Sequence, residues 1–272
     1  MKLPHRRQFL QLAVGAAGLP AVPRIVKAQT VANAPHVVRV GYPPFASPLS
    51  FLRNATPENY LTLNPNSAQG AMIDLYKAIA NEADFQPQFL VFLARELPGA
   101  LVLHKIDTLY AVSSAANKAF MDFSEPIFAD REVLIANTND TTPYKTYADL
   151  KGQIVGSRTG TIYEDDMKKN GLEVRSYVTA PELYKAVNTG EVKAAINTRY
   201  IPTAHALLEG QYPNVHIVRS YQAKFSDVLG IATSKDDRSL FEKINTSLAK
   251  LKTNGAIQAI FARYGIADAL TK

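Results

Sequence analysis

Arg158-Thr159-Gly160-Thr161 is the segment of this chain whose residue types best suit chemistry. Thr159-Gly160-Thr161 opens a helix. The signals are Glu164, Asp165 and Asp166 in the first turn, Lys168 and Lys169 in the last, and Asn170-Gly171 beyond it. Free backbone N–H groups at such a start, together with the helix dipole, favour an anion, and Arg158 is placed to add a cation. The alternative is that Thr159 or Thr161 only caps the helix while Arg158 points to solvent. The loop is not a Walker phosphate cradle, because no Gly-Lys-Ser/Thr follows. Gly156-Ser157-Arg158-Thr159-Gly160 is not a nucleophile elbow either, since its middle residue is Arg. Tyr42 and Phe45, at the end of the first strand, are candidate ligand contacts. A core position is the alternative, more so for Phe45. Ser113 and Ser114 are candidate hydrogen-bond donors.

Other chemistries are closed off by composition. The chain has no cysteine, which removes disulfides, thiolate catalysis and cysteine-bound metals. Its five histidines, His5, His36, His104, His205 and His216, never fall at the three- or four-residue spacing that puts two metal ligands on one helix face. No metal and no cofactor is expected. The net charge of +6 is concentrated at the start: Lys2, Arg6, Arg7, Arg24 and Lys27 precede any acid, leaving +1 for the rest. The remainder shows no basic excess, so nucleic acid is not an expected partner.

Those first residues read as an export leader. Arg6-Arg7-Gln8-Phe9-Leu10 is a twin-arginine signature, an uncharged stretch runs from Leu10 to Pro23, and Val26-Lys27-Ala28 is a small-residue cleavage pattern. The apolar stretch is short of the roughly 20 residues a spanning helix needs. Cleavage is expected near Ala28, with the mature chain in the periplasm.

The elements that must position the candidate residues alternate. Strands are predicted at Val37–Val40, Phe89–Leu93, Thr108–Val112, Val133–Ala136, Ile154-Val155, Val174–Val178, Val192–Ile196 and Val215–Val218. Helices are predicted from Gly70, over Leu97–Leu103, from Thr161 to Asn170, from Pro181 to Gly190, over Ile201–Leu208, and on two tail stripes, Leu240/Ile244/Leu248/Leu251 and Ile257/Ile260/Phe261/Tyr264. Residues 29–35 read as a linker and 46–69 as an irregular loop. Such alternation implies an α/β class with mainly parallel sheets.

In order, these pieces resemble the bacterial extracellular solute-binding proteins of family 3, the polar amino-acid type of ABC importer receptor. The resemblance rests on Val38-Arg39-Val40-Gly41-Tyr42-Pro43-Pro44-Phe45, Gly70-Ala71-Met72-Ile73-Asp74-Leu75, Asp122-Phe123-Ser124-Glu125-Pro126, and Asp149-Leu150-Lys151-Gly152 with Val155-Gly156 and Thr159-Gly160-Thr161. Gly230-Ile231-Ala232 and Lys252-Thr253-Asn254-Gly255 through Tyr264-Gly265 complete it. It implies a two-lobed periplasmic binding protein type II fold with two hinge strands. Lobe 1 is expected over 36–131 plus 233–272, lobe 2 over 138–226, and the hinge strands at 132–137 and 227–232.

The resemblance also implies site residues. Asn117 stands where relatives carry an arginine that clamps the ligand carboxylate. Thr198 stands where they carry an aspartate that holds the ammonium, and Tyr42 where a first-lobe acid is sometimes found. Tyr110 replaces a small residue and is a candidate to fill part of the pocket, and Arg199 is a candidate cation or surface ion pair. Stranding a ligand charge without its partner costs about 3–5 kcal/mol, so tight binding of ordinary α-amino acids is not expected. The ligand set is therefore Tyr42, Phe45, Tyr110, Ser113, Asn117, Arg158, Thr159, Gly160, Thr161 and Thr198, suited to a small polar or anionic solute. The implied partner is an ABC transporter permease, and a monomer is expected. Two other classes stay open. One is a dehydratase similar to the periplasmic cyclohexadienyl or arogenate enzymes, for which Asp74 and Glu164 are the acids nearest the motif loops, both read as solvent-facing helix-turn residues. The other is a periplasmic partner of a sensor or dehydrogenase.

Overall fold

The computed structural model describes residues 36–198 and 210–271. The leader and linker readings, Arg199 and the helix expected over Ile201–Leu208 lie outside the described residues.

The first sheet runs in the order β4 (Gln86–Val91), β1 (Val37–Tyr42), β5 (Thr108–Val112), β12 (Ser226–Ser234). The first three strands are parallel and β12 is antiparallel to β5. A short β6 (Met121–Phe123) also pairs with β12. On one face Val38, Val40 and Tyr42 pack with α1 (Ala71–Ala83), α6 (Arg238–Thr253) and α7 (Ala256–Arg263). The apolar period of these helices dictates that packing: Leu240, Ile244, Leu248 and Leu251 are one buried stripe of α6. Asp237 caps α6 by accepting the Leu240 N–H at 3.0 Å. The other face is covered by α2 (Leu97–Val102).

The second sheet runs β9 (Glu173–Tyr177), β8 (Ile154–Arg158), β10 (Ala194–Thr198), β7 (Phe128–Asn137). The first three are parallel, β7 runs against β10, and β11 (Val215–Ile217) runs against β7. Helix α5 (Ala180–Thr189) covers one face and α4 (Ile162–Lys169) the other.

One strand, β7, is shared by the two sheets. Phe128–Arg131 of β7 pairs with β12 in the first sheet, whereas Glu132–Asn137 pairs with β10 and β11 in the second. The passage between lobes on this strand thus falls between Arg131 and Glu132, at the start of the segment expected as a hinge. Residues 227–232 pair with β5, β6 and β7 inside the first sheet.

Three local differences from the sequence reading have simple causes. Strand β1 continues through Gly41 and Tyr42 before Pro43 stops it. The expected loop 46–69 contains a small ribbon, β2 (Phe45–Ala46) with β3 (Ser50–Phe51), and a 3-10 turn at Pro65–Ser67; two-residue strands are too short to show alternation. A one-turn helix α3 (Ala115–Lys118), capped by Ser114, was equally invisible.

Candidate functional site

The carboxyl end of β8 and the loop after it in the second lobe approach β5 and the loop after β4 in the first. Gly160 comes so near Arg95, on the loop after β4, that a Cβ there would lie 3.0 Å from the Arg95 Cβ. Helix α5 likewise packs on β2, the strand that begins with Phe45. The lobes are therefore in contact along a seam, and the sequence candidates divide according to whether they line it.

Arg158 does. It ends β8 on the side facing α5. Gly156, two residues earlier, points the same way, and a side chain there would collide with Leu183 Cδ1 at 2.7 Å. Arg158 lies within electrostatic range of Tyr184 on α5 and of Tyr110 on β5, one tyrosine from each lobe. Its Nε is sealed from solvent and has no hydrogen-bond partner. Among the described residues no acid pairs with it, and burial holds its pKa below the usual arginine range. The residue is half-buried, and its sealed Nε departs from the alternative reading, a guanidinium in solvent.

Both tyrosines are tied down. Tyr110 is buried and shares a 2.7 Å hydrogen bond with Ser50 Oγ. Burial pushes its hydroxyl pKa up, so it stays neutral. Tyr184 OH accepts from Asn197 Nδ2 at 2.7 Å. Asn197, the next-to-last residue of β10, thus lies on the Arg158 side of the sheet. Thr198, one residue on, faces the other way; its Oγ1 is buried and unpartnered. Glu132 is the cross-strand neighbour of Thr198.

The helix start is partly occupied by the chain's own groups. Thr159 N–H donates to Tyr177 O at 2.9 Å, continuing the β8–β9 pairing. Thr161 caps α4: its Oγ1 accepts from Glu164 N–H at 3.2 Å and donates to Arg158 O at 2.8 Å. Gly160 N–H donates to Glu164 Oε2 at 2.6 Å, and the other oxygen takes Lys168 Nζ at 2.6 Å and Ser176 Oγ. Glu164 is not the solvent-facing residue expected: it is buried and fills the anion position with the chain's own carboxylate. Burial works to raise its pKa, but Lys168, Ser176 and the Gly160 N–H outweigh that and hold it below the usual carboxylate range.

Of the remaining candidates, Phe45 belongs to the strand on which α5 packs; the others sit elsewhere. Tyr42 is not a cleft wall. It is wholly buried in the first lobe's core, edge-on to Phe89, with its hydroxyl donating to Pro65 O at 2.9 Å. Phe45 is also buried, edge-on to Tyr60. Asn117 is bound into its own turn: Nδ2 donates to Val112 O at 2.8 Å. Half-buried Ser113 donates its N–H to Val228 O at 2.9 Å. Asp74, half-buried, accepts from Tyr264 OH at 2.9 Å and pairs with Arg263 at 3.2 Å, both within the first lobe. A groove of about 980 Å³ lies away from the seam, beside the second sheet, bounded by Glu132, Asp140, His216, Arg219 and Tyr221.

Sequence reasoning missed Tyr184, Asn197, Arg95 and Ser50. Tyr184 was hidden in the apolar stripe of a helix, Asn197 read as a strand end, and Arg95 gains meaning only where the lobes meet.

The comparisons agree with this architecture. Over 235 residues the chain is 24% identical to the histidine-binding periplasmic protein of Salmonella typhimurium, covering 81% of this chain and 89% of that one. It is 26% identical over 200 residues to ABC transporter arginine-binding protein 1 of Escherichia coli K12, covering 72% and 81%. An ancestral arginine-binding protein bound to arginine superposes with a TM-score of 0.72 at 27% identity, covering 84% of this chain and 97% of that one. The fold is thus the two-lobed type II arrangement of periplasmic binding proteins. With residues 49–267 matching the family's model, the chain belongs to the bacterial extracellular solute-binding proteins, family 3, and its role is to bind a solute.

Proposed function

We propose that this chain is the periplasmic receptor of an ABC importer and that it captures a small polar or anionic solute between its lobes. The observation that carries the reading is the seam itself. A half-buried arginine on β8, its Nε sealed and unpartnered, lies within range of tyrosines from both lobes, in a molecule whose two sheets share β7, with β12 paired beside it. Rotation about these two strands opens and closes the seam, and the closed form is what the inner-membrane permease recognises. Lobe 1 comprises 36–131 and 233–272, lobe 2 comprises 138–226, and the motion is centred near Arg131-Glu132. The leader directs export by the twin-arginine route with cleavage near Ala28, and the receptor works as a monomer.

Native mass spectrometry on protein exported in its own host tests the reading. The expected result is a single-chain mass beginning after Ala28, with a small-molecule adduct that leaves on mild unfolding. Small-angle scattering then shows the stripped protein contracting when that molecule is returned. An adduct-free protein whose dimensions no solute changes overturns it.

A further inference from the structure

We infer that the solute is a small carboxylate without an ammonium group, of the hydroxy-acid or keto-acid kind, and that Arg158 holds its carboxylate. This rests on the receptor reading above and narrows the ligand of the same site.

Three observations converge. The first is the unpaired charge. A cation taken out of water loses several kcal/mol of solvation, and proteins normally return this with an acid or a set of acceptors. Among the described residues Arg158 has no acid: its Nε is sealed and unpartnered, and the side chains within electrostatic range are the hydroxyls of Tyr110 and Tyr184. A bound carboxylate supplies the missing charge and matches the planar fork of the guanidinium with two parallel hydrogen bonds.

The second is what surrounds it. Ser50, Tyr110, Tyr184 and Asn197 bring hydroxyls and an amide, linked as Ser50–Tyr110 and Asn197–Tyr184 at 2.7 Å each. These suit a ligand hydroxyl or carbonyl and offer no charge to an ammonium. The Cα and Cβ of Arg95, an exposed residue, meet Gly160 across the seam.

The third is where the acids are. Glu164 is held by Gly160 N–H, Lys168 and Ser176. Glu132 is the cross-strand neighbour of Thr198, on the face of the sheet opposite Asn197 and Arg158, and accepts from Tyr221 OH and Lys224 N–H. Neither can meet the ammonium of a ligand seated on Arg158. With these two acids engaged, an α-amino acid bound there lacks their carboxylates for its own cation; a hydroxy acid of the same skeleton carries no such group.

Titration calorimetry on full-length protein, stripped of resident solute by mild urea and dialysis, tests the inference. The probes are lactate, pyruvate, 3-phenyllactate and benzoate, against L-alanine, L-phenylalanine, L-arginine and L-histidine. At least one of the four acids should bind. The amino acid sharing a binder's skeleton should be at least about 100-fold weaker, the size expected for one uncompensated charge. Arg158→Met should abolish binding of that acid, and Arg158→Lys should restore part of it. Both variants should keep the wild-type circular dichroism spectrum, which separates lost binding from lost fold. Three results would overturn the inference: equal affinity for lactate and alanine, unchanged binding by Arg158→Met, or no heat from any of the four acids. Tight binding of a zwitterion, with contraction on binding, removes the anion assignment and leaves the receptor reading standing. Failure of every probe, together with an adduct-free protein from the host, removes both.

Discussion

Glu164 is buried and Arg158 half-buried, six residues apart on either side of one turn, yet the protein treats them in opposite ways. Glu164 has both carboxylate oxygens engaged: a backbone N–H on one, a lysine and a serine on the other. Among the described residues Arg158 has a sealed Nε and no acid. A buried charge with its partners inside the chain fastens local structure. A buried charge without them is a site that something outside the chain must complete. The two residues separate architecture from recognition within a single loop.

The comparison breaks most visibly at Glu164. Glu164→Gln should remove the charge that binds Lys168, Ser176 and the Gly160 N–H together. Losing one partner of a buried ionic cluster costs about 3–5 kcal/mol; with the Lys168 side chain half exposed, about 2–3 kcal/mol is expected here, read as a lower urea midpoint. Loss of less than about 0.5 kcal/mol would place Glu164 among ordinary surface pairs.

Gly160 tests the contact between the two regions. It has φ of +73°, and its missing Cβ faces Arg95. Gly160→Ala should cost about 1–2 kcal/mol from the left-handed backbone, and it should also weaken ligand affinity because the lobes meet there. An unfolding change with no change in affinity would show that the seam closes elsewhere.

Arg158→Met is expected to act with the opposite sign. Replacing a half-buried cation whose Nε is unpartnered by an apolar chain of similar length should leave the ligand-free protein as stable or about 1 kcal/mol more stable. Destabilisation by more than that, seen in the same urea titration, would mean Arg158 has structural partners and would dissolve the contrast with Glu164.

How much of this was readable in the sequence follows from the range of the forces involved. The helix opening at Thr161, with acids in its first turn and lysines in its last, depends on neighbours within one turn and was legible. So were the stripes of α6 and the alternation of strands with helices. The use to which Glu164 is put was not. Capping signals place an acid near a helix start, but the sequence does not say that Ser176, from the next strand, will close over it. Tyr42 misled for a related reason: the end of a strand reads as a cleft position, whereas β1 runs through Tyr42 and delivers its ring to the core beside Phe89. Arg158 was picked out by its place before the helix. Its lack of partners is a property of three strands, a helix and the opposite lobe together, and no window of sequence contains it.

Glu132 offers the finest test, because it is a buried charge of intermediate kind. One carboxylate oxygen accepts from Tyr221 OH at 2.8 Å and Lys224 N–H at 2.6 Å; the other is sealed and unpartnered. Burial is the main cause that raises its pKa above 4.5, with Asp166 adding repulsion and the bonds from Lys224, Tyr221 and Phe225 pulling the other way. The groups facing it are Tyr147, Tyr221, the Lys224 backbone and Asp166, the last joined to Lys224 Nζ at 2.5 Å. A raised folded pKa means that the native state holds the proton more tightly than the unfolded chain. The stabilisation is then complete below the ordinary carboxylate value and is lost as pH rises through the folded pKa. Glu132→Gln keeps an oxygen for Tyr221 and Lys224 and has no proton to lose. Wild type should therefore lose stability relative to Glu132→Gln between about pH 4.5 and neutrality, measured as the difference in urea midpoints at several pH values. Parallel pH profiles for the two proteins would show that this half-partnered carboxylate is solvated after all. It would then belong with neither Glu164 nor Arg158.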